Sequence, residues 1–196
     1  MLFGGQSIPY RPRTAHTWAT FVKATPTADG SFRIEHVTIS WLPAAGPVQP
    51  LRLRSVAGKN HSLDETFAKM RNNDARVSVW GPFETDATRY ALAAQQADVL
   101  NSGAVRFRSV DSFRNNRGVQ NCTHAVTYAD PNLQHLRQPV PVGYGEPGTS
   151  KLAAKYVNSG AVAGAETHDW VLSAVGADQY PVVRRAPGEH ISRRRR

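Results

Sequence analysis

The chain has 196 residues, of which 40% are hydrophobic, and its 24 Lys and Arg against 15 Asp and Glu give a formal net charge of +9. This composition is typical of one globular domain with a buried core, and no apolar run approaches the roughly 20 residues of a transmembrane helix. One cysteine excludes an intramolecular disulfide, and without a visible secretory signal we expect a cytoplasmic protein with no membrane span.

The first part of the chain predicts a β-hairpin, a helix and a strand. Segments 14–23 and 31–42 are rich in β-branched and aromatic residues, and they flank turn residues at 26–30. Ser62 and Glu65 have the spacing of a capping box, which predicts a helix over 63–71. A strand is predicted over 75–80.

The second part of the chain alternates predicted helices with short strands. We predict helices over 86–101, 122–129, 150–158 and 168–175, strands over 105–111 and 180–184, and an irregular connection over 131–148. Asn121, Thr149 and Thr167 are placed to cap the last three helices. Because the first two strands form a hairpin, the expected fold class is α+β, with an antiparallel sheet packed with helices. The four tryptophans are expected in the core or in pocket walls, at Trp18, Trp41, Trp80 and Trp170.

The positive charge is partly concentrated at the end of the chain. Four consecutive arginines account for +4 of the +9, namely Arg193, Arg194, Arg195 and Arg196. Such a run is typical of a solvated tail that contacts an anionic partner weakly. The other arginines are scattered and lack an RNA-binding aromatic ladder, so sequence-specific nucleic-acid binding is not expected. We divide the chain into an extended segment at 1–13, one α+β domain at 14–186 and a basic, flexible tail at 187–196.

The single cysteine, Cys122, stands at the start of a predicted helix. At 100° per residue it shares an apolar stripe with Ala125 and Val126, so it is expected to face the core. The positive end of the helix dipole favours the thiolate there, and first-turn amides suit an oxyanion. Two interpretations stay open, an inert buried thiol and a nucleophile.

A nucleophilic thiol needs a base. His124 lies about 200° round the helix from the thiol and is rejected on that ground. In the predicted hairpin His16 lies across from Ser40, and His36 lies across from Thr20. The two strand histidines are then roughly 13 Å apart along the ladder, so only one of them can serve the thiol.

This order of residues resembles the circularly permuted papain-like fold of NlpC-type and lecithin-retinol-acyltransferase-like proteins. In those families a strand histidine and a polar residue on the next strand precede a string of the type Asn-Cys-Glu-His-Phe-Val, which QNCTHAV at 120–126 resembles. The resemblance implies Cys122 as nucleophile, His16 as base and Ser40 as the group that orients the imidazole, with His36 as the alternative orienting residue. Asn121 is then the support of the helix start that binds the oxyanion.

The resemblance implies a cysteine-dependent hydrolase or acyl transferase, similar to a peptidase or amidase, that acts on a peptide, amide or ester substrate. The alternative is a non-catalytic binding or scaffold module of the same fold, whose basic tail contacts an anionic partner. No cofactor is expected. Seven histidines with one cysteine and no HExxH pair give no zinc-binding pattern, so no metal is expected either.

Overall fold

The computed structural model describes residues 1–110, 117–133, 144–160, 162–163 and 168–192. The strands within these ranges are β1 (Leu2–Ser7), β2 (His16–Pro26), β3 (Phe32–Ile39), β4 (Trp41–Pro43), β5 (Val56–Asn60), β6 (Ala75–Trp80), β7 (Arg106–Phe107), β8 (Val119–Gln120) and β9 (Val182–Arg184). The helices are α1 (Leu63–Asn72), α2 (Ala87–Asn101), α3 (Cys122–Thr127), α4 (Gly145–Asn158) and α5 (Trp170–Ala174), with 3-10 turns at Pro12–Thr14 and Ala177–Gln179. None of these helices is long and apolar enough to cross a membrane.

Five strands form the larger sheet, in the order β3-β2-β1-β6-β9. All neighbours are antiparallel except β6 and β9, which run parallel. The central strand β1 carries two glycines that let helices approach closely. A Cβ at Gly4 would lie 2.8 Å from the Thr149 hydroxyl of α4, and a Cβ at Gly5 would lie 2.3 Å from the Met70 sulfur of α1.

The first face of this sheet, here called the α1 face, is covered by α1. Phe3 of β1 and Trp18 of β2 stack with ring centroids 5.3 Å apart, and both meet the edge of Phe67 from α1. Val77 and Val79 of β6 complete the same apolar cluster. The alternation of side chains along β2 places His16 on this face as well, stacked on Trp18 with ring centroids 5.4 Å apart.

The opposite face, here called the α3 face, is covered by α2, α3 and α4. Leu2 and Ala19 pack there in one cluster with Ala125 of α3 and Leu152 of α4. Thr17 of β2 also faces this side, because its hydroxyl lies 2.8 Å from that of Thr149 in α4. The sheet is therefore a central layer with separate apolar cores on its two sides.

A second sheet of four strands has the order β4-β5-β7-β8. Only Ser40 separates β3 from β4, so one extended stretch of chain serves both sheets. The ring of Trp41 lies directly over Gly58 of β5, where a Cβ would come within 2.0 Å of the indole. Antiparallel pairings dominate both sheets and helices pack on them, which confirms the α+β class.

The starts of α1, α2 and α3 were predicted best. The capping box of α1 is present, because Ser62 accepts from the Glu65 amide and the Glu65 carboxylate accepts from the Ser62 amide. Asp86 caps α2, and Asn121 caps α3. The buried positions of Trp18, Trp41 and Trp80 are also confirmed.

The hairpin is present, but its predicted register is wrong by two residues. Thr20 pairs with Thr38, and His36 pairs with Val22 instead of Thr20. The turn therefore centres one residue later than Ala28. A shift of two residues leaves every side chain on its predicted face.

Other boundaries also differ from the predictions. The predicted connection 131–148 runs into α4, which begins at Gly145, so Thr149 lies inside that helix. Of the predicted strand 105–111, only Arg106–Phe107 is a strand among the described residues.

Described residues from both ends of the chain pack in the domain, whereas the prediction set these ends apart as an extended segment and a tail. Segment 1–13 contains the buried central strand β1. In segment 187–196, Ile191 is buried in the core of the α3 face, whereas Arg193, Arg194, Arg195 and Arg196 lie outside the described residues. The Thr167 cap lies outside them too.

Candidate functional site

His16 belongs to a buried polar cluster between β2, β3 and α1. Its Nε2 lies 2.9 Å from Ser40 Oγ, and the Thr66 hydroxyl of α1 donates to the same oxygen at 2.7 Å. The imidazole is 1% exposed, and its Nδ1 has no hydrogen-bond partner among the described residues. The predicted pair of His16 with Ser40 is thus formed in the structure, although the two residues are not direct cross-strand partners.

The cluster keeps His16 uncharged at neutral pH. Burial lowers the pKa of His16 from its ordinary value of 6.5 to about 3, and the positive charges of His61 and Lys69 add to this effect. The pKa of His61 is lowered as well, mainly by burial. A general base works best with a pKa near the working pH, and His16 is far below it.

Cys122 occupies a different environment, at the first residue of α3. Asn121 Oδ1 accepts from the His124 amide at 2.8 Å and so fixes the helix start, as predicted. The thiol residue is 3% exposed and lines a small apolar pocket. The pocket walls come from several loops and strands, including Pro12, Ala15, Leu42, Val48, Phe107 and Tyr144. The predicted inward orientation of Cys122 is therefore confirmed, but Thr123, His124 and Thr127 are buried too.

The structure places His16 and Cys122 on opposite faces of the larger sheet. His16 stacks on Trp18 and contacts the α1 side, whereas α3 packs on the other face with Ala19. The neighbour of His16 that does face the cysteine side is Ala15, which lines the Cys122 pocket. The backbone of β2 thus separates the two members of the predicted dyad.

The two other histidines named by sequence reasoning lie in different surroundings from His16. His36 is exposed on β3 opposite Val22, far along the hairpin from His16, so it does not orient that imidazole. His124 is buried and stacks on Tyr128, with ring centroids 5.9 Å apart. Among the described residues, no three His, Cys, Asp or Glu side chains lie close enough to hold a metal.

An aromatic cleft of about 500 Å³ is bounded by β2, β3, α2, α4 and α5. Its aromatic lining consists of Phe21, Phe32, Phe83, Tyr90, Tyr156 and Trp170. Phe32 and Trp170 stack with ring centroids 5.1 Å apart, yet they remain 49% and 42% exposed. Beside the cleft, the hydroxyl of Tyr156 is buried without a hydrogen-bond partner among the described residues.

Sequence reasoning missed this cleft. Its walls come from segments as far apart in sequence as Met1 and Val171, so no local spacing marks them. The one available signal was Trp170, which was expected in the core or a pocket wall and does line the cleft.

Comparison of the chain with protein family models, with characterised proteins and with solved structures finds no match.

Proposed function

We propose that the chain is a non-catalytic binding module that holds a small, largely apolar, ring-containing ligand in the aromatic cleft. The observation that carries this proposal is the cleft itself, which presents six aromatic side chains around about 500 Å³. Small-molecule sites typically have this volume, with mainly apolar and aromatic walls and a few polar groups.

The exposed stack of Phe32 on Trp170 supports a ligand with a flat face. Large aromatic side chains are normally buried, and an exposed cluster of them marks a binding surface. Offset stacking of rings contributes about 0.5–1.5 kcal/mol beyond the burial of area. Tyr156 adds a further ring to the lining of the cleft.

The state of His16 also favours binding over catalysis. Its imidazole is held by Ser40, its pKa is lowered to about 3 by burial, and its side chain faces away from Cys122. A nucleophilic cysteine needs a base within hydrogen-bond reach. In the proposed module His16 is a structural residue.

A titration with Nile red, a neutral planar dye, tests the proposal. Trp170→Ala removes one wall of the cleft and should weaken binding about fivefold, the value for one lost stacking partner. Leu53→Ala is the matched control, because Leu53 is 86% exposed and lies outside the cleft. No binding, or the same affinity in both variants, would show that the cleft is not the site.

A second candidate function rests on a separate observation, the position of Cys122 at the start of α3 beside an apolar pocket. On this hypothesis the chain is a cysteine-dependent hydrolase or acyl transferase of the permuted papain-like type. The Cys122 sulfur attacks the carbonyl carbon of an amide or ester, the leaving group departs with a proton, and water or another acceptor releases the acyl group. The pocket would then hold the apolar part of the acyl group.

Alkylation with iodoacetamide separates the two candidates, because the chain has one cysteine and every thiol adduct reports on it. The catalytic hypothesis expects appreciable labelling at about pH 6, and expects His16→Gln to abolish it. The binding module expects labelling only under alkaline conditions and no effect of His16→Gln. Circular dichroism of the variant checks that it is folded.

A further inference from the structure

We propose that a second cleft, independent of the aromatic one, binds a small molecule that carries phosphate groups. This basic cleft measures about 490 Å³ and lies between the 3-10 turn Pro12–Thr14, the end of β4 and the end of α1. Its charged residues are Arg11, Arg13, Lys69 and Asp74. Thr14, Asn72 and Asn73 add neutral hydrogen-bonding side chains to the walls.

The three cationic side chains in this cleft are not paired with described protein groups. Arg11, Arg13 and Lys69 make no ion pair and no side-chain hydrogen bond with any residue that the structure describes. Some other cations of the fold are paired with carboxylates, as in Arg76 with Glu146 and Arg89 with Asp130. The three cations of this cleft are therefore available to a ligand, and none is held in an ion pair with a described residue.

Two features of the cleft oppose an anion, and neither is large enough to cancel the cations. Asp74 contributes one negative charge, and the carbonyl end of α1 contributes about half a charge. The three cations of the cleft therefore leave an excess of about one and a half positive charges. The floor residue His16 is uncharged and does not contribute to this excess.

The chemistry of the cations and the volume together indicate the ligand class. A guanidinium donates two parallel N–H bonds to a phosphate, and arginine is the preferred residue for this recognition. A volume of about 490 Å³ is larger than one phosphate ion requires. The site therefore fits a small phosphorylated organic molecule, with Arg11 and Arg13 at the charged group and the asparagines beside the remainder.

Calorimetric titration of the full chain with pyrophosphate at low salt tests this assignment. Arg11→Gln combined with Arg13→Gln should weaken binding about tenfold or more, because both donors to the phosphate are lost. The matched control combines Arg33→Gln with Arg52→Gln, which removes the same charge from exposed positions outside the cleft. This control should change the affinity less than about twofold, and both variants keep the terminal arginines.

Three results would overturn the proposal. Pyrophosphate does not bind the wild-type chain, or the two double variants weaken its binding equally. The third result is that a DNA oligonucleotide binds through Arg11 and Arg13 while pyrophosphate does not, which would assign the surface to nucleic acid. All variants are compared by urea unfolding, and the exposed positions of both arginine pairs predict unchanged stability.

Discussion

Replacing His16 with glutamine should remove much of the protein's loss of stability in mild acid. The folded state holds the pKa of His16 near 3 through burial and the charges of His61 and Lys69, whereas the unfolded chain has the ordinary value of 6.5. Between these values the unfolded state binds a proton that the folded state does not. His16 therefore costs the wild type stability as the pH falls through 6.5, and the cost reaches its limit near pH 3.

The size of the effect follows from the two pKa values. Each pH unit below 6.5 costs about 1.4 kcal/mol, so the penalty is roughly 3 kcal/mol at about pH 4.5 and about 5 kcal/mol near pH 3. Glutamine cannot be protonated in this range, and its amide can donate to Ser40 Oγ in place of the imidazole. The free energy of unfolding of the variant should therefore change less with pH than that of the wild type, even if the variant is less stable at pH 7.

Urea unfolding at a series of pH values from about 7 to 4.5 measures this difference. The free energy of unfolding of the wild type, minus that of His16→Gln, should fall by roughly 3 kcal/mol over the series. His36→Gln is the matched control, because His36 is exposed on the same hairpin and lies outside the cluster. Parallel curves for the wild type and His16→Gln would refute the reasoning that His16 enters the fold uncharged.

Two further predictions concern stability at neutral pH, and urea unfolding measures both. Arg76→Met should cost about 3–5 kcal/mol, because Glu146 is fully buried and Arg76 is its only cationic partner among the described residues; the same change at the half-exposed Arg184 should cost less than about 1 kcal/mol. An equal cost at both arginines would contradict the argument from burial. Gly58→Ala should destabilise by about 1–3 kcal/mol, because the new Cβ would lie 2.0 Å from the buried Trp41 ring; an unchanged stability would mean that β5 shifts freely.

Local chemistry explains why parts of the fold were predictable. A capping box and two N-cap residues fix where α1, α2 and α3 begin, and these signals involve only neighbours in sequence. The hairpin register was harder, because residues 26–30 allow more than one turn centre. A register error of two residues leaves each side chain on its predicted face of the sheet. The predicted contact between His16 and Ser40 is therefore present although the predicted pairing is wrong.

The site could not be predicted in the same way, because it depends on which side of the sheet each helix covers. The strand pattern of β2 assigns His16 and Thr17 to opposite faces, but nothing local says which face receives α3. The walls of both clefts depend on the same long-range packing. Composition indicated the net positive charge, whereas only the fold shows that Arg11, Arg13 and Lys69 converge on one cleft.

In the proposed binding module, the position of His16 in the alternation of β2 accounts for a structural role. Ala15 and Thr17 face the side of α3 and α4, and an imidazole at either position would project toward the side that holds Cys122. His16 projects to the other side, where Ser40 contacts its Nε2, Thr66 donates to that serine, and its Nδ1 has no partner among the described residues. A purely structural role therefore requires two results together: His16→Gln changes the acid stability and leaves the alkylation rate of Cys122 unchanged. If the alkylation rate falls and the acid stability does not change, the imidazole serves the thiol, and β2 must present it differently in the active protein.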